Sequence, residues 1–128
     1  MTLTIQPTSD FNESVQKLNV YLKLATQHLE LIELVQLYAL TVLEKAFRKQ
    51  YYTHYKTMSK IKFSVLIDKA QQENLIRQED RLFLITLKNR RNQQLHELHT
   101  VEEYHVYEQD VQRLLKIMQH VFVSMKEA

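Results

Sequence analysis

The chain contains no glycine and a single proline, Pro7, and that absence constrains its fold more than any other feature. Glycine supplies the left-handed backbone of tight hairpins, phosphate-cradling loops and most helix C-caps, while proline interrupts helices. From residue 8 onward neither is present, so sheets built from tight turns and every glycine-dependent nucleotide loop drop out. Long helices remain. Apolar residues make up 45% and charged residues 25% of the 128 residues, the balance of a folded domain and not of a disordered chain. A chain of this length is expected to form one domain, 1–128, with its own core.

The apolar positions recur at helical spacing. Asp10 and Glu13 make a D-x-x-E capping pattern, followed by Phe11, Val15, Leu18, Leu22 and Ala25, which predicts a helix over about 10 to 26 after a flexible tail at 1–9. Leu29, Ile32, Val35, Ala39, Val42, Leu43 and Ala46 continue the period to about Tyr52 with no breaker, so this should be the most buried helix. Leu31, Leu34, Leu37 and Leu40 widen its stripe. Whether it joins the first helix is left open by the periodicity. Ser59 can cap a third helix carrying Phe63, Leu66, Ile67 and Ala70 and fading near Asn74. A fourth starts near Gln78, has Glu79 and Asp80 at its positive end, and should bury Leu82, Phe83, Ile85 and Leu87. Thr100 and Glu103 form a capping box for a last helix lined by Tyr104, Tyr107, Val111, Leu114, Leu115, Met118, Val121, Phe122 and Met125. The expected fold is all-α: an antiparallel bundle of four main helices, with room for an extra N-terminal one.

Zero cysteines exclude disulfides, thiolate nucleophiles and cysteine-bound metals. The opening MTLTIQPTSD has no basic region followed by an apolar run, and no stretch approaches 18 consecutive apolar residues. A soluble, cytoplasmic protein with no membrane partner is expected. The net charge is only +2, so the distribution of charge says more than the total. Residues 45–62, KAFRKQYYTHYKTMSKIK, hold Lys45, Arg48, Lys49, Lys56, Lys60 and Lys62 and no acid, interleaved with Tyr51, Tyr52, His54 and Tyr55. Cations neutralise phosphates and aromatic faces stack on bases, which points to single-stranded RNA; the plain alternative is a solvated helix end opposing the macrodipole. Residues 92–112 hold Glu97, Glu102, Glu103, Glu108 and Asp110 with no Lys or Arg, and could pair with the basic segment within the chain or across a dimer.

His96 and His99 with Glu102 or Glu103 have metal-ligand chemistry, but a di-iron bundle needs paired E-x-x-H motifs that the sequence lacks, so no metal and no cofactor is expected. No Gly flanks any of the six His, which also weighs against a phosphorelay histidine. Arg91, Asn92 and His96, within NRRNQQLHEL, remain. On an ideal helix Asn92 and His96 lie one turn apart on one face, while Arg91 is rotated from His96 by about 140° and reaches it only through its long side chain. Without context this trio reads more simply as a polar helix end with an ordinary surface Arg and a capping His.

From about residue 28 to 122 the chain resembles a HEPN domain (higher eukaryotes and prokaryotes nucleotide-binding). The likeness lies in the long helix ending LEKAFRKQYY, the helix KFSVLIDKAQQENLI, the next helix leading to RNQQLH, and the capped helix opening TVEEY. Arg91, Asn92 and His96 match the family's R-x4-6-H motif with a polar residue after the Arg. Leu98 stands where the toxins paired with a nucleotidyltransferase antitoxin commonly carry Tyr, so the likeness is to the family and not to that group. The resemblance implies metal-independent cleavage of single-stranded RNA to 2′,3′-cyclic phosphate and 5′-hydroxyl ends, with His96 moving the proton, Arg91 on the phosphate and Asn92 positioning. It also implies a homodimer whose two motifs share a cleft, and an antitoxin or antiviral defence system as the setting. Lys45, Arg48, Lys49, Lys88 and Arg90 are the expected RNA-backbone contacts. The rival expectation is a non-catalytic helical dimer that binds RNA, nucleotide or a protein partner and needs the lysines but not His96.

Overall fold

The computed structural model describes Ile5 and residues 11–51, 61–90 and 101–127. All regular structure among them is helical: α1 Asn12–Gln27, a short 3-10 turn Leu29–Leu31, α2 Ile32–Tyr51, α3 Phe63–Gln72, α4 Gln78–Arg90 and α5 Val101–Glu127. The all-α bundle is therefore as the missing glycines require. His28, with φ −133° and ψ 87°, separates α1 from the 3-10 turn that leads into α2. That settles the junction the periodicity left open.

α1 and α3 each start from a residue that makes no side-chain cap. α1 starts from Phe11, which has no side-chain cap but is buried and stacks on Phe122 with centroids 5.4 Å apart; Asp10 lies outside the described residues. The N-cap of α3 is Lys62, again without a side-chain cap, and the buried Phe63 beside it anchors the helix start against Phe47. Ser59 and Thr100 also lie outside the described residues. Ile5 does not behave as part of a free tail: it is 3% exposed. Its N–H donates to Asn19 Oδ1 at 3.2 Å and its carbonyl accepts from Asn19 Nδ2 at 3.1 Å, so both of its backbone groups are satisfied and its side chain is free to join the core.

α3 ends in a Schellman arrangement. Leu75 N–H bonds Ala70 O at 2.8 Å and Asn74 N–H bonds Gln71 O at 3.1 Å, with Asn74 at φ 61°. That left-handed position is ordinarily glycine's, and in a chain without glycine an asparagine fills it.

α1 and α2 form an antiparallel pair, with the Tyr38 hydroxyl reaching Ser14 O at 3.5 Å and the Tyr21 and Tyr38 rings edge to face at 5.1 Å. α3 and α4 form a second, closed by Arg81 to Asp68 at 2.7 Å. α5 is the wall both pairs share. Lys49 near the end of α2 lies over Phe11, which stacks on Phe122 near the end of α5. Because α5 stops shortly past Phe122, its extensive packing on α2 can only run back from that end, and the two helices share a direction. The core runs along this seam through Leu40, Leu43, Phe47, Leu114, Met118 and Phe122, all essentially inaccessible.

α4 differs from its expected face. Leu84 and Leu87 are buried and Phe83 and Ile85 partly so, but Leu82 is 55% exposed. The inward positions are 80, 84 and 87, at i, i+4 and i+7, and the first of them is Asp80, 7% exposed. An acid on the core-facing stripe is invisible to a reading that follows apolar residues alone.

Candidate functional site

Arg91, Asn92 and His96 lie outside the described residues, as does His99, but both helices that flank them are described. α4 carries its last residue, Arg90, against α5. Arg90 Nη2 donates to Asp110 Oδ2 at 3.0 Å, and the guanidinium lies 5.7 Å from the Tyr107 ring centre. The pair is half-buried, where screening by water and salt is weaker than on an open surface. Arg90 Nε is buried and has no hydrogen-bond partner among the described residues. Asp110, from the acidic stretch, is thus matched with a cation of α4. The Arg expected to hold RNA is held by a carboxylate.

The other expected phosphate contacts divide by environment. Lys45 is exposed on α2, and among the described residues it has no ion pair. Arg48 reaches Glu44 one turn earlier at 3.7 Å, in a pair with little exposure. Lys49 sits 5.5 Å from the Phe11 ring centre. Lys88 Nζ donates to Asn89 Oδ1 at 3.2 Å. Lys45, Arg48 and Lys49 share the end of α2, near Phe122 of α5, whereas Arg90 meets α5 at Asp110. Twelve residues separate those two points (122 − 110), roughly 18 Å along a helix. Among the described residues these cations therefore fall into two groups and not one continuous patch.

Tyr51, the described tyrosine of the basic segment with Lys69 5.4 Å from its ring centre, is not free to stack on a base. Burial, and secondarily the charge of Glu73, push its pKa up to about 12, and its hydroxyl is buried with no hydrogen-bond partner among the described residues.

Two features escaped the sequence. One is a cavity of about 390 Å³ between the turn at 74–77 and α5, carrying Arg77, Asp80, Arg113, Lys116 and His120. Its signal was present as Arg113, Lys116 and His120 at i, i+3 and i+7, one face of one helix, but the partners on the 74–80 segment are distant in sequence. The second is an apolar groove of about 360 Å³ where Tyr21 and Leu24 of α1 meet Leu31, Leu34, Val35 and Tyr38. Leu34 was expected to widen the buried stripe and is 51% exposed instead, as Leu24 is at 42%. Since α2 and α5 share a direction, this groove lies toward the end of the bundle where α5 begins and α4 delivers Arg90.

Among the described residues, no cluster of three His, Asp or Glu side chains could hold a metal ion, and no helix is long and apolar enough to cross a membrane. Compared with known proteins, the chain matches no family model, no curated protein and no solved structure at a significant level.

Proposed function

We propose that this chain is a metal-independent endoribonuclease of the HEPN type, acting on single-stranded RNA as a homodimer in a toxin or antiviral defence setting. The observation that carries the proposal is the position of the motif. Arg91, Asn92 and His96 follow directly on a helix whose final residue, Arg90, is fixed to α5 by Asp110 and Tyr107, in a chain whose described residues are helical as that family's fold requires.

The chemistry follows from the residue types. The ribose 2′-hydroxyl attacks the adjacent phosphorus as one His96 imidazole takes its proton. The bond from phosphorus to the 5′-oxygen breaks, and a second imidazole, from the other chain, donates a proton to that oxygen. The products are a 2′,3′-cyclic phosphate and a 5′-hydroxyl. An imidazole with an ordinary pKa near 6.5 can serve in either role, and each positioned acid or base is worth about 10² to 10⁴ in rate. Arg91 stabilises the extra charge on the phosphoryl oxygens, and Asn92 orients the imidazole. The groove of Tyr21, Leu24, Leu34 and Tyr38 is the surface best suited to a second copy, being apolar and at the end of the bundle where Arg90 sits. Lys45 and Lys88, which have no ion pair among the described residues, are the leading backbone contacts.

The same groove favours the alternative, a non-catalytic helical dimer that binds RNA, nucleotide or a protein partner, because catalysis does not by itself require it. One assay separates the two. With excess EDTA present, wild type cleaves single-stranded RNA, His96→Ala and Arg91→Ala lose nearly all activity while remaining folded dimers, and His99→Ala retains most of it. Equal cleavage by wild type and His96→Ala would trace the activity to a contaminant and leave the binding module.

A further inference from the structure

The cavity between the 74–77 turn and α5 has the parts of a ligand site that the nuclease reading does not use. Its apolar floor is Leu75, Ile76 and Ile117, each buried. At about 390 Å³ it falls in the range of small-molecule pockets, roughly 300 to 1,000 Å³. Its charged rim is held in place before any ligand arrives. Asp80 accepts from the Arg77 backbone N–H at 3.3 Å and from Arg77 Nε at 3.4 Å. Arg113 Nη2 donates to Glu79 O at 3.1 Å, approaches Asp80 Oδ1 at 3.8 Å, and its guanidinium lies 4.4 Å from the Phe83 ring centre. The Arg113 guanidinium is thus oriented by Glu79 O and the Phe83 ring, and the exposed Arg77 guanidinium is drawn toward Asp80; both retain N–H groups to spare, and the partial ordering lowers the entropic cost of engaging an anion.

The charges do not cancel. Arg77, Arg113 and Lys116 face Asp80, with Glu79 3.8 Å from Arg77, so three cations meet two carboxylates. Among the described residues Lys116 has no ion pair and His120 no hydrogen bond. The remaining donors converge from two elements, the turn and α5. A carboxylate offers two oxygens in one plane, whereas a phosphate offers three around a tetrahedron and carries a charge of about −1.5 to −2 at neutral pH.

We propose that this cavity binds a small phosphate monoester, with the phosphate held by Arg77, Arg113 and Lys116 and the organic body resting on Leu75, Ile76 and Ile117. The site lies beside Arg113, while Arg90 meets α5 at Asp110 and Tyr107, and the proposal does not depend on RNA cleavage.

Phenyl phosphate is a suitable probe, titrated into the full chain by calorimetry and by methyl NMR. Binding should shift the Ile76 and Ile117 methyl signals. Lys116→Ala and Arg77→Ala, both at exposed positions, should each weaken it about tenfold, the loss expected for one charge-assisted contact. Lys17→Ala on α1 should bind as wild type does. Inorganic phosphate and benzoate should each bind more weakly than phenyl phosphate, the first lacking the body and the second the third oxygen. Absence of binding at millimolar probe would overturn the proposal, as would unchanged affinity in both cavity variants or benzoate binding as well as phenyl phosphate. Displacement of the probe by a short oligouridylate would overturn it in favour of an RNA track. None of these variants touches residues 91–96, so loss of probe binding and loss of cleavage are separate results.

Discussion

The ion pair between Arg90 and Asp110 can be tested for what it holds. Arg90→Met keeps an aliphatic stem against Tyr107 and removes the charge; Asp110→Asn removes the other. At an effective dielectric constant near 20, unit charges 4 Å apart attract by about 4 kcal/mol, but desolvation and side-chain ordering cancel most of that, and exposed pairs retain only about 0.2 to 1 kcal/mol. Side-chain exposures of 35% and 23% and a 3.0 Å contact place this pair at the upper end, while the partnerless Arg90 Nε works against it. A coupling of about 1 kcal/mol is expected from a double-mutant cycle in urea at 25 °C, with melting points about 2 to 4 °C lower for each kcal/mol lost. Most of the coupling should survive high salt, since a half-buried pair is weakly screened. A coupling under about 0.3 kcal/mol, or one that salt abolishes, would show that the contact is not an anchor. RNA affinity supplies a second reading from the same variants. If Arg90 is an anchor, both substitutions leave affinity nearly unchanged while cleavage falls, because Arg91 is displaced. If Arg90 serves RNA directly, Asp110→Asn tightens binding and Arg90→Met weakens it.

Tyr51 favours its neutral form in the fold, so its contribution to stability should be level below pH 10 and fall as pH rises from 10, where the unfolded phenol ionises, toward 12, where the folded one does. Urea midpoints across that window should fall less steeply in Tyr51→Phe, and Tyr51→Phe should be at least as stable at pH 7, by up to about 1 kcal/mol, since it removes an unpaired buried hydroxyl; equal slopes would refute the assignment. At Asn74, with φ 61°, substitution by Ala should cost about 1 kcal/mol and substitution by Gly under about 0.5 kcal/mol, and a melting scan in which Ala matches wild type would count against the left-handed cap.

Much of the fold was legible because the helix period and the missing breakers are local signals. Val15, Leu18, Leu22, Ala25, Phe63, Leu66, Ile67 and Ala70 are buried as their spacing predicts. At the starts of α1 and α3 the residue in the cap position makes no side-chain cap and a neighbouring aromatic, Phe11 or Phe63, is buried there, while Asp10, Ser59 and Thr100 lie outside the described residues. Leu82 and Leu34 were misjudged because apolar character marks a candidate for burial and not the face that turns inward; Asp80 takes that face by pairing with Arg77 and Arg113. Of the proposed site, the sequence supplies the motif string and the structure supplies its flanks. That Arg90 and Arg48 are engaged by carboxylates could not be read in advance for Arg90, whose partner is twenty residues away (110 − 90), whereas Glu44 to Arg48 was a visible i,i+4 pair.

The shared direction of α2 and α5 also bears on how the chain reaches this structure. The α1–α2 and α3–α4 hairpins join neighbours in sequence and can form early, but neither covers its own apolar face. That surface closes only when α5 meets α2 across the whole α3–α4 segment, a long loop whose closure entropy grows slowly with length but must be met before any packing is gained. The hairpins should therefore be weak alone, unfolding should be a single cooperative step, and substitutions at Leu114 and Met118 should slow folding more than those at Leu22 or Ala70. The helix that carries Asp110 and Arg113 thus also sets the pace of assembly.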